Sequence, residues 1–102
     1  MATTWNLMNV KVYNTLDGNS DVIYLVNYNV MATDGNGSVY LLPKEATIDT
    51  SSITDFVPFA DLTEAIIMGW VTTDLGTDGV EAIDQEAEDA LSDMLNTSTK
   101  TL

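Results

Sequence analysis

The chain has 102 residues, of which 45% are hydrophobic, and it contains neither cysteine nor histidine. Sixteen acidic residues against three lysines give a net charge of −13, which together with the missing residue types excludes disulfides, thiolate or imidazole metal sites, Cys-His or Ser-His catalysis and direct nucleic-acid binding. We therefore expect one soluble domain, made in a cytoplasm, with no cofactor, no metal and no membrane contact, since no apolar run approaches the ~20 residues of a spanning helix.

Two segments at the start of the chain predict a β-hairpin. Trp5–Tyr13 is rich in β-branched and aromatic residues, and Val22–Val30 places apolar side chains at every second position. Asp17-Gly18-Asn19 between them has the composition of a tight turn. The two segments are therefore expected to pair.

A third strand is expected at Ser38–Leu42, after the turn residues Asp34–Gly37. Pro43 should end this strand, because proline has no N–H to donate to a strand ladder. Glu45–Thr50 could add a short fourth strand. The sequence thus predicts an antiparallel meander of three to four strands.

From Asp61 the spacing of apolar residues becomes helical, and this helix is expected to run to Leu75 and to end at Gly76. Asp61 and Glu64 have the spacing of a reciprocal capping pair. Apolar residues form two stripes on opposite sides of the helix: Leu62, Ala65, Ile66, Gly69 and Trp70 in the first, and Ile67, Met68, Val71 and Leu75 in the second. We expect the sheet to cover the first stripe, which leaves the second for the other helix or for another subunit.

A second helix is expected after Asp78 and Glu81, which repeat the capping spacing, and it should run to about Asn96. It has one apolar stripe and is acidic elsewhere. The predicted fold class is α+β, an N-terminal antiparallel β-meander followed by two C-terminal α-helices packed on one face. Residues 1–96 are expected to form a single domain and residues 97–102 a frayed tail.

Neither acidic loop completes a calcium-binding pattern. Asp17–Asp21 has oxygen ligands at alternate positions, but Val22 stands where a glycine is needed and no glutamate follows at the twelfth position. Asp34–Gly37 fails in the same way, so both loops are interpreted as turns. The helical carboxylates have no cation at helical spacing to tune them, so we assign no catalytic residue and expect no enzymatic activity.

The second helix should carry an acidic surface, with candidate residues Glu81, Asp84, Glu88 and Asp89. A solvated face explains this surface best. The alternative is imitation of a nucleic-acid backbone: seven charges from Asp78 to Asp93, at ~1.5 Å rise per residue, give about one charge per 3.4 Å, as along one DNA strand. These charges spread around more than half of the helix circumference, which weakens the imitation.

The two tryptophans are the largest apolar side chains. Trp70 shares a stripe with Leu62 and Ile66 and is expected in the core. Trp5 lies close to the N-terminus between polar neighbours, so it is expected either to close the edge of the sheet or to face a partner.

Several short motifs resemble a small family of uncharacterised tailed-phage proteins. They are Trp5-Asn6, Gly-Ser-Val-Tyr at 37–40, Phe-Val-Pro-Phe-Ala-Asp-Leu-Thr-Glu-Ala at 56–65 and Gly-Trp-Val at 69–71. The resemblance covers most of residues 3–75. Members of that family often end in a proline-rich tail, which residues 96–102 lack. The resemblance implies a phage context and no established activity, so it assigns no functional residue.

The leading hypothesis from the sequence is a virion-associated structural or accessory protein, made in the host cytoplasm, that acts through protein–protein contacts. Its partners are expected to be other phage structural proteins or further copies of itself in a homo-oligomer. The candidate interface is the second stripe or the exposed edge of the sheet, with Trp5, Ile67, Met68 and Val71 as its residues. The alternative hypothesis is an acidic phage inhibitor that mimics nucleic acid and binds a host protein.

We expect the helical content of the chain to rise with ionic strength. The acidic residues between Asp78 and Asp93 have no lysine or arginine among them, so they repel one another across one and two helical turns until salt or a partner screens them. Circular dichroism over a salt titration measures this effect. Helical content that is indifferent to salt would contradict the prediction.

Overall fold

Three long strands and one bent helix form two layers in the computed structural model, which describes residues 1–49, 57–98 and 100–101. The elements are β1 (Ala2–Leu16), β2 (Asn19–Thr33), β3 (Val39–Thr47), a 3-10 turn at Phe59–Asp61 and helix α1 (Glu64–Leu95). The strands form an antiparallel sheet in the order β1-β2-β3. The α+β class and the antiparallel meander are therefore confirmed.

Turn chemistry sets the register of both hairpins. Asp17 (φ 51°) and Gly18 (φ 81°) have left-handed backbones in a two-residue turn, whose twist matches that of the flanking strands. In the second turn, the Asp34 carboxylate accepts the backbone N–H groups of Asn36 (2.8 Å) and Ser38 (3.1 Å). These two hydrogen bonds hold the pKa of the Asp34 carboxyl below its ordinary value, and the bond from Asn36 has the larger effect.

Pro43 does not end β3, contrary to the expectation from the sequence. The strand continues to Thr47, so Glu45–Thr47 belongs to β3 and not to a fourth strand, while Thr50 lies outside the described residues. Because β3 is an edge strand, a proline can pair with β2 when the position of its missing N–H faces away from the neighbouring strand. Pro43 lies opposite Asn29 in this register.

A single element, α1, replaces the two separate helices that the sequence predicted, but its helical geometry is interrupted at Gly76, where the first helix was expected to end. Gly76 has φ 71° and ψ 174° inside α1, and the helix bends at this residue. This backbone region is essentially restricted to glycine, so the chain changes direction without a connecting loop, and Asp78 lies inside α1 instead of capping a second helix. α1 ends at Leu95, close to the predicted end at Asn96. The predicted tail, residues 97–102, includes residues 99 and 102, which lie outside the part of the chain that the structure describes.

The helix begins two residues later than the capping pair predicted. Thr63 is the N-cap residue, and its Oγ1 accepts the backbone N–H of Ile66 at 3.2 Å. Asp61 instead closes the preceding 3-10 turn, where its N–H donates to the carbonyl of Pro58 at 2.8 Å. Leu62 between them is extended (φ −79°, ψ 144°), so Asp61 cannot act as the cap.

The core lies between one face of the sheet and both parts of α1. Every second residue in the middle of β2 faces the helix and is at most 3% exposed: Val26, Tyr28, Val30 and Ala32. The helix contributes three buried residues before Gly76 and two after it: Ile67, Met68, Val71, Ala87 and Leu91. A single cluster of side chains therefore holds both parts of α1 on the same face of the sheet.

The sheet covers the second stripe of the helix, and the expectation that it covers the first holds only in part, because Leu62 and Trp70 pack against the core while Ala65 and Ile66 are exposed. Ile67 and Val71 are 6% and 1% exposed, whereas Ile66 is 38% exposed. Both stripes are apolar, so hydropathy alone does not distinguish them. Glu64 contacts β1 (below), and the residues three, four and seven positions after it lie on the same side of a helix. The contact of Glu64 with β1 and the burial of Ile67, Met68 and Val71 therefore require the same rotation of the helix.

The molecule is elongated, with a radius of gyration of 17.0 Å and a longest dimension of 61 Å. A globular chain of this length has a radius of gyration of about 13 Å. The hairpin explains the difference, because strands of 15 residues at ~3.4 Å per residue span about 50 Å. β3 pairs only with Leu25–Thr33, so the other end of the hairpin extends beyond β3 as a two-stranded ribbon.

We expect Gly76→Ala to lower the free energy of unfolding by about 1–3 kcal/mol, because alanine is strained at this backbone geometry. Gly69→Ala is the matched control: Gly69 has no left-handed backbone and nothing lies within 4 Å of an added Cβ, so this change should raise stability by about 0.5–1 kcal/mol. Urea unfolding followed by circular dichroism measures both. Equal stabilisation by the two substitutions would show that the helix does not bend at Gly76.

Candidate interaction surface

Asp84 anchors α1 to β1. Its Oδ1 accepts hydrogen bonds from the Thr3 hydroxyl (2.8 Å) and from the Trp5 indole N–H (2.7 Å). The Trp5 ring also stacks on Tyr28, with ring centroids 5.4 Å apart and planes 11° from parallel. Trp5, a candidate interface residue from the sequence, therefore makes its principal contacts within its own chain.

A second carboxylate connects α1 to β3. Glu86 accepts a hydrogen bond from Lys44 Nζ at 3.0 Å, with about a third to a half of each side chain exposed. An ion pair this exposed contributes at most about 1 kcal/mol. Burial, and to a smaller extent the charge of Glu86, raises the pKa of the Tyr28 hydroxyl above its ordinary value.

Glu64 attaches the start of α1 to the edge strand β1. Its Oε1 accepts the backbone N–H of Leu7 at 2.9 Å. This contact occupies one backbone donor of β1 next to the irregular pairing between Leu7 and Asn9. On the other edge of the sheet, Pro43 has no N–H to offer. Both edges are therefore poor templates for an added strand.

Three of the four candidate interface residues lie in the core. Ile67, Met68 and Val71 are at most 9% exposed and pack against the sheet. They cannot form a surface for another subunit while α1 stays on the sheet, so this part of the predicted interface is corrected. The physical reason is the rotation of the helix, which packs the stripe of Ile67, Met68 and Val71 against the sheet.

The candidate acidic surface is divided between solvent and internal contacts. Glu81 and Asp89 are exposed and Glu88 is half-buried. Asp84 is also half-buried, and its carboxylate is engaged by β1. The four residues predicted from the sequence therefore do not form one continuous solvent-facing group.

The face of the sheet away from α1, called the outer face below, consists of five alternate β2 residues and their register partners: Leu25, Asn27, Asn29, Met31 and Thr33 with the residues opposite them on β1 and β3. Helix α1 packs on the opposite face of the sheet. The large apolar residues on this face include Met8 (61% exposed), Leu41 (54%) and Val39 (43%).

Four asparagines form a cross-strand cluster on the outer face. Asn27 donates to the Asn9 side chain at 2.7 Å, and Asn6 donates to the Asn29 side chain at 3.3 Å. The Asn29 amide also lies 3.0 Å from the sulfur of Met8. Asparagine is disfavoured in strands, and the alternation in Val22–Val30 had already placed Asn27 and Asn29 away from the apolar face. Their pairing with Asn6 and Asn9 depends on the register and was not predicted.

The described residues contain no group of three or more acidic side chains arranged to hold a metal ion. Within the same residues, no helix is long and apolar enough to cross a membrane.

The fold and its surfaces define a small α+β domain in which one helix covers one face of a three-stranded sheet. The chain belongs to a protein family described as a domain of unknown function (DUF7936), whose family model matches residues 1–102. Comparisons with curated proteins and with solved structures return no match.

We expect Asp84→Ala to lower the free energy of unfolding by about 1.5–3 kcal/mol, because two donors lose a charged acceptor. Asp89→Ala is the matched control, since it removes the same charge from an exposed position of the same helix and should change stability by less than about 0.5 kcal/mol. Urea unfolding measures both.

Trp5→Phe keeps an aromatic ring on Tyr28 but removes the indole donor. Its effect and that of Asp84→Ala should therefore be less than additive in the double variant. Equal effects of Asp84→Ala and Asp89→Ala, or strict additivity with Trp5→Phe, would contradict the anchoring role of Asp84.

Proposed function

We propose that this protein is a structural or accessory component of a phage virion and acts through protein–protein contacts, with no catalytic step. The observation that carries the proposal is the outer face, which combines exposed apolar side chains with a cluster of asparagines. Met8, Val39 and Leu41 stay exposed on it although the same chain buries a core of aliphatic residues. Large apolar side chains left exposed on one face are typical of sites that bind other proteins.

The elongated shape supports the same proposal. The domain has a radius of gyration of 17.0 Å, against about 13 Å for a globular chain of this length. It therefore exposes a large surface relative to the size of its core. Such a shape suits a component that contacts neighbours along its length. The phage context comes from the resemblance of residues 37–40, 56–65 and 69–71 to tailed-phage proteins.

The proposed contact surface is the outer face, in place of the helix stripe that the sequence suggested. Its partners are other virion proteins or further copies of this chain. Because the edge strands are partly blocked by Pro43 and by the contact between Glu64 and Leu7, we propose packing on the face of the sheet in preference to addition of a strand at its edge.

An acidic inhibitor that mimics nucleic acid is the second candidate, and one observation favours it. α1 carries nine acidic residues and no basic one: Glu64, Asp74, Asp78, Glu81, Asp84, Glu86, Glu88, Asp89 and Asp93. The support is weaker than for the first candidate, because Glu64, Asp84 and Glu86 are engaged by the sheet. The carboxylates left for a partner do not follow a continuous line along the helix.

Mass spectrometry of particles purified by density gradient, from a phage that encodes this chain, tests the proposal. We expect the chain to stay with the particles at a constant ratio to the major structural proteins. Absence from the particles, with recovery in the soluble fraction bound to a host protein that binds nucleic acid, would contradict it and favour the inhibitor.

Two single substitutions separate the surfaces within the same experiment. Leu41→Lys places a charge on the outer face at a position that is already 54% exposed, and it should reduce incorporation into particles at least tenfold. Asp89→Lys changes the exposed side of α1 and should leave incorporation unchanged. The reverse pattern would assign the function to the acidic helix.

A further inference from the structure

The outer face is electrically neutral on a chain of net charge −13. Among the alternate β2 residues from Leu25 to Thr33 and their register partners, the only charged side chains are Lys11 and Glu45. Lys11 is opposite Leu25 on β1, and Glu45 is opposite Asn27 on β3. The two charges cancel, and they lie on opposite edges of the sheet.

The acidic residues of α1 lie on the other side of the sheet. Packed layers are separated by ~10 Å, and charges are screened over ~8 Å at physiological ionic strength. A second copy of this polyanion therefore meets the least repulsion when it approaches the outer face. Any contact that includes the exposed side of α1 would bring like charges together.

The outer face is also complementary to itself. A carboxamide both donates and accepts hydrogen bonds, so Asn27 and Asn29 on the central strand β2 can face the same two residues of a second copy. In a dimer with a two-fold axis between the sheets and parallel to the strands, β1 of one copy lies over β3 of the other. Lys11 then faces Thr47, which lies two residues along the strand from Glu45, within reach of the lysine side chain.

We propose that a second copy of this chain packs outer face to outer face, with Lys11 of each copy paired to Glu45 of the other and the α1 helices on the outside. This inference rests on the proposed function, because it names the partner of the same surface. Two antiparallel sheets stack in this way at an angle of about 30°.

The size of the face sets the expected affinity. Three strands at ~4.8 Å spacing and nine residues of ~3.4 Å each cover roughly 14 by 30 Å, an area of about 420 Å². This area is smaller than the ~800 Å² that each partner buries in a standard interface. We therefore expect a dimer with a dissociation constant in the micromolar range. Added salt should strengthen it, because the net repulsion between two chains of −13 each exceeds the attraction of two exposed ion pairs.

Sedimentation of the full chain from micromolar to millimolar concentration tests the proposal, with variants that exchange the two charges. Lys11→Glu and Glu45→Lys should each weaken the dimer at least tenfold, and the double variant should restore it. Lys100→Glu and Glu81→Lys are the matched controls, because they make the same changes of net charge at residues that do not belong to the outer face, and they should leave the dimer stronger than Lys11→Glu and Glu45→Lys do. Circular dichroism of each variant confirms that it is folded.

A wild-type chain that stays monomeric at millimolar concentration in high salt would overturn the inference without any variant. A dimer that the charge exchanges do not weaken and restore would overturn the proposed packing. A monomeric chain that is found in purified particles would refute this inference and leave the proposed function in place. A dimer of the proposed geometry that is absent from particles would support this inference and contradict the proposed function.

Discussion

Helix α1 buries the alternate side chains of β2 from Val26 to Ala32, and the other features of the molecule depend on that contact. A straight helix of 32 residues at ~1.5 Å per residue would be about 48 Å long, well beyond the ~30 Å of sheet in which three strands pair. The bend at Gly76 allows Val71 before it and Leu91 after it to reach the same core. The glycine thus permits a single helix to cover a short sheet.

The same contact separates the two kinds of surface that the chain presents. Because the apolar side of α1 faces the sheet, its carboxylates point to solvent or to polar groups at the margins of the core, as Asp84 does toward Trp5. Much of the negative charge therefore lies on α1, and among the residues that define the outer face only Lys11 and Glu45 are charged. A polyanion organised in this way can approach other proteins, including its own copies, through its neutral face.

Local patterns in the sequence predicted the elements, but they did not predict how the elements meet. Strand alternation and turn residues specify both hairpins because the relevant interactions are short-range. Pro43 was misjudged because its effect depends on whether its strand is central or at an edge. The buried stripe of α1 was misjudged because both sides are apolar and the choice between them depends on contacts with distant strands, such as that of Glu64 with Leu7. Contacts between residues so far apart in the chain have no local signature.

Oxidative footprinting of methionines across a concentration series tests the central claim most directly, because the native chain carries a probe on each surface. Met68, on the side of α1 that faces the sheet, is 9% exposed. Met8, beside the asparagine cluster, is 61% exposed, and Met94, near the end of α1, is 42% exposed. We expect Met68 to oxidise slowly at every concentration, Met94 to oxidise rapidly throughout, and Met8 to become protected as concentration rises. Rapid oxidation of Met68, or protection of Met94 in place of Met8, would contradict this account.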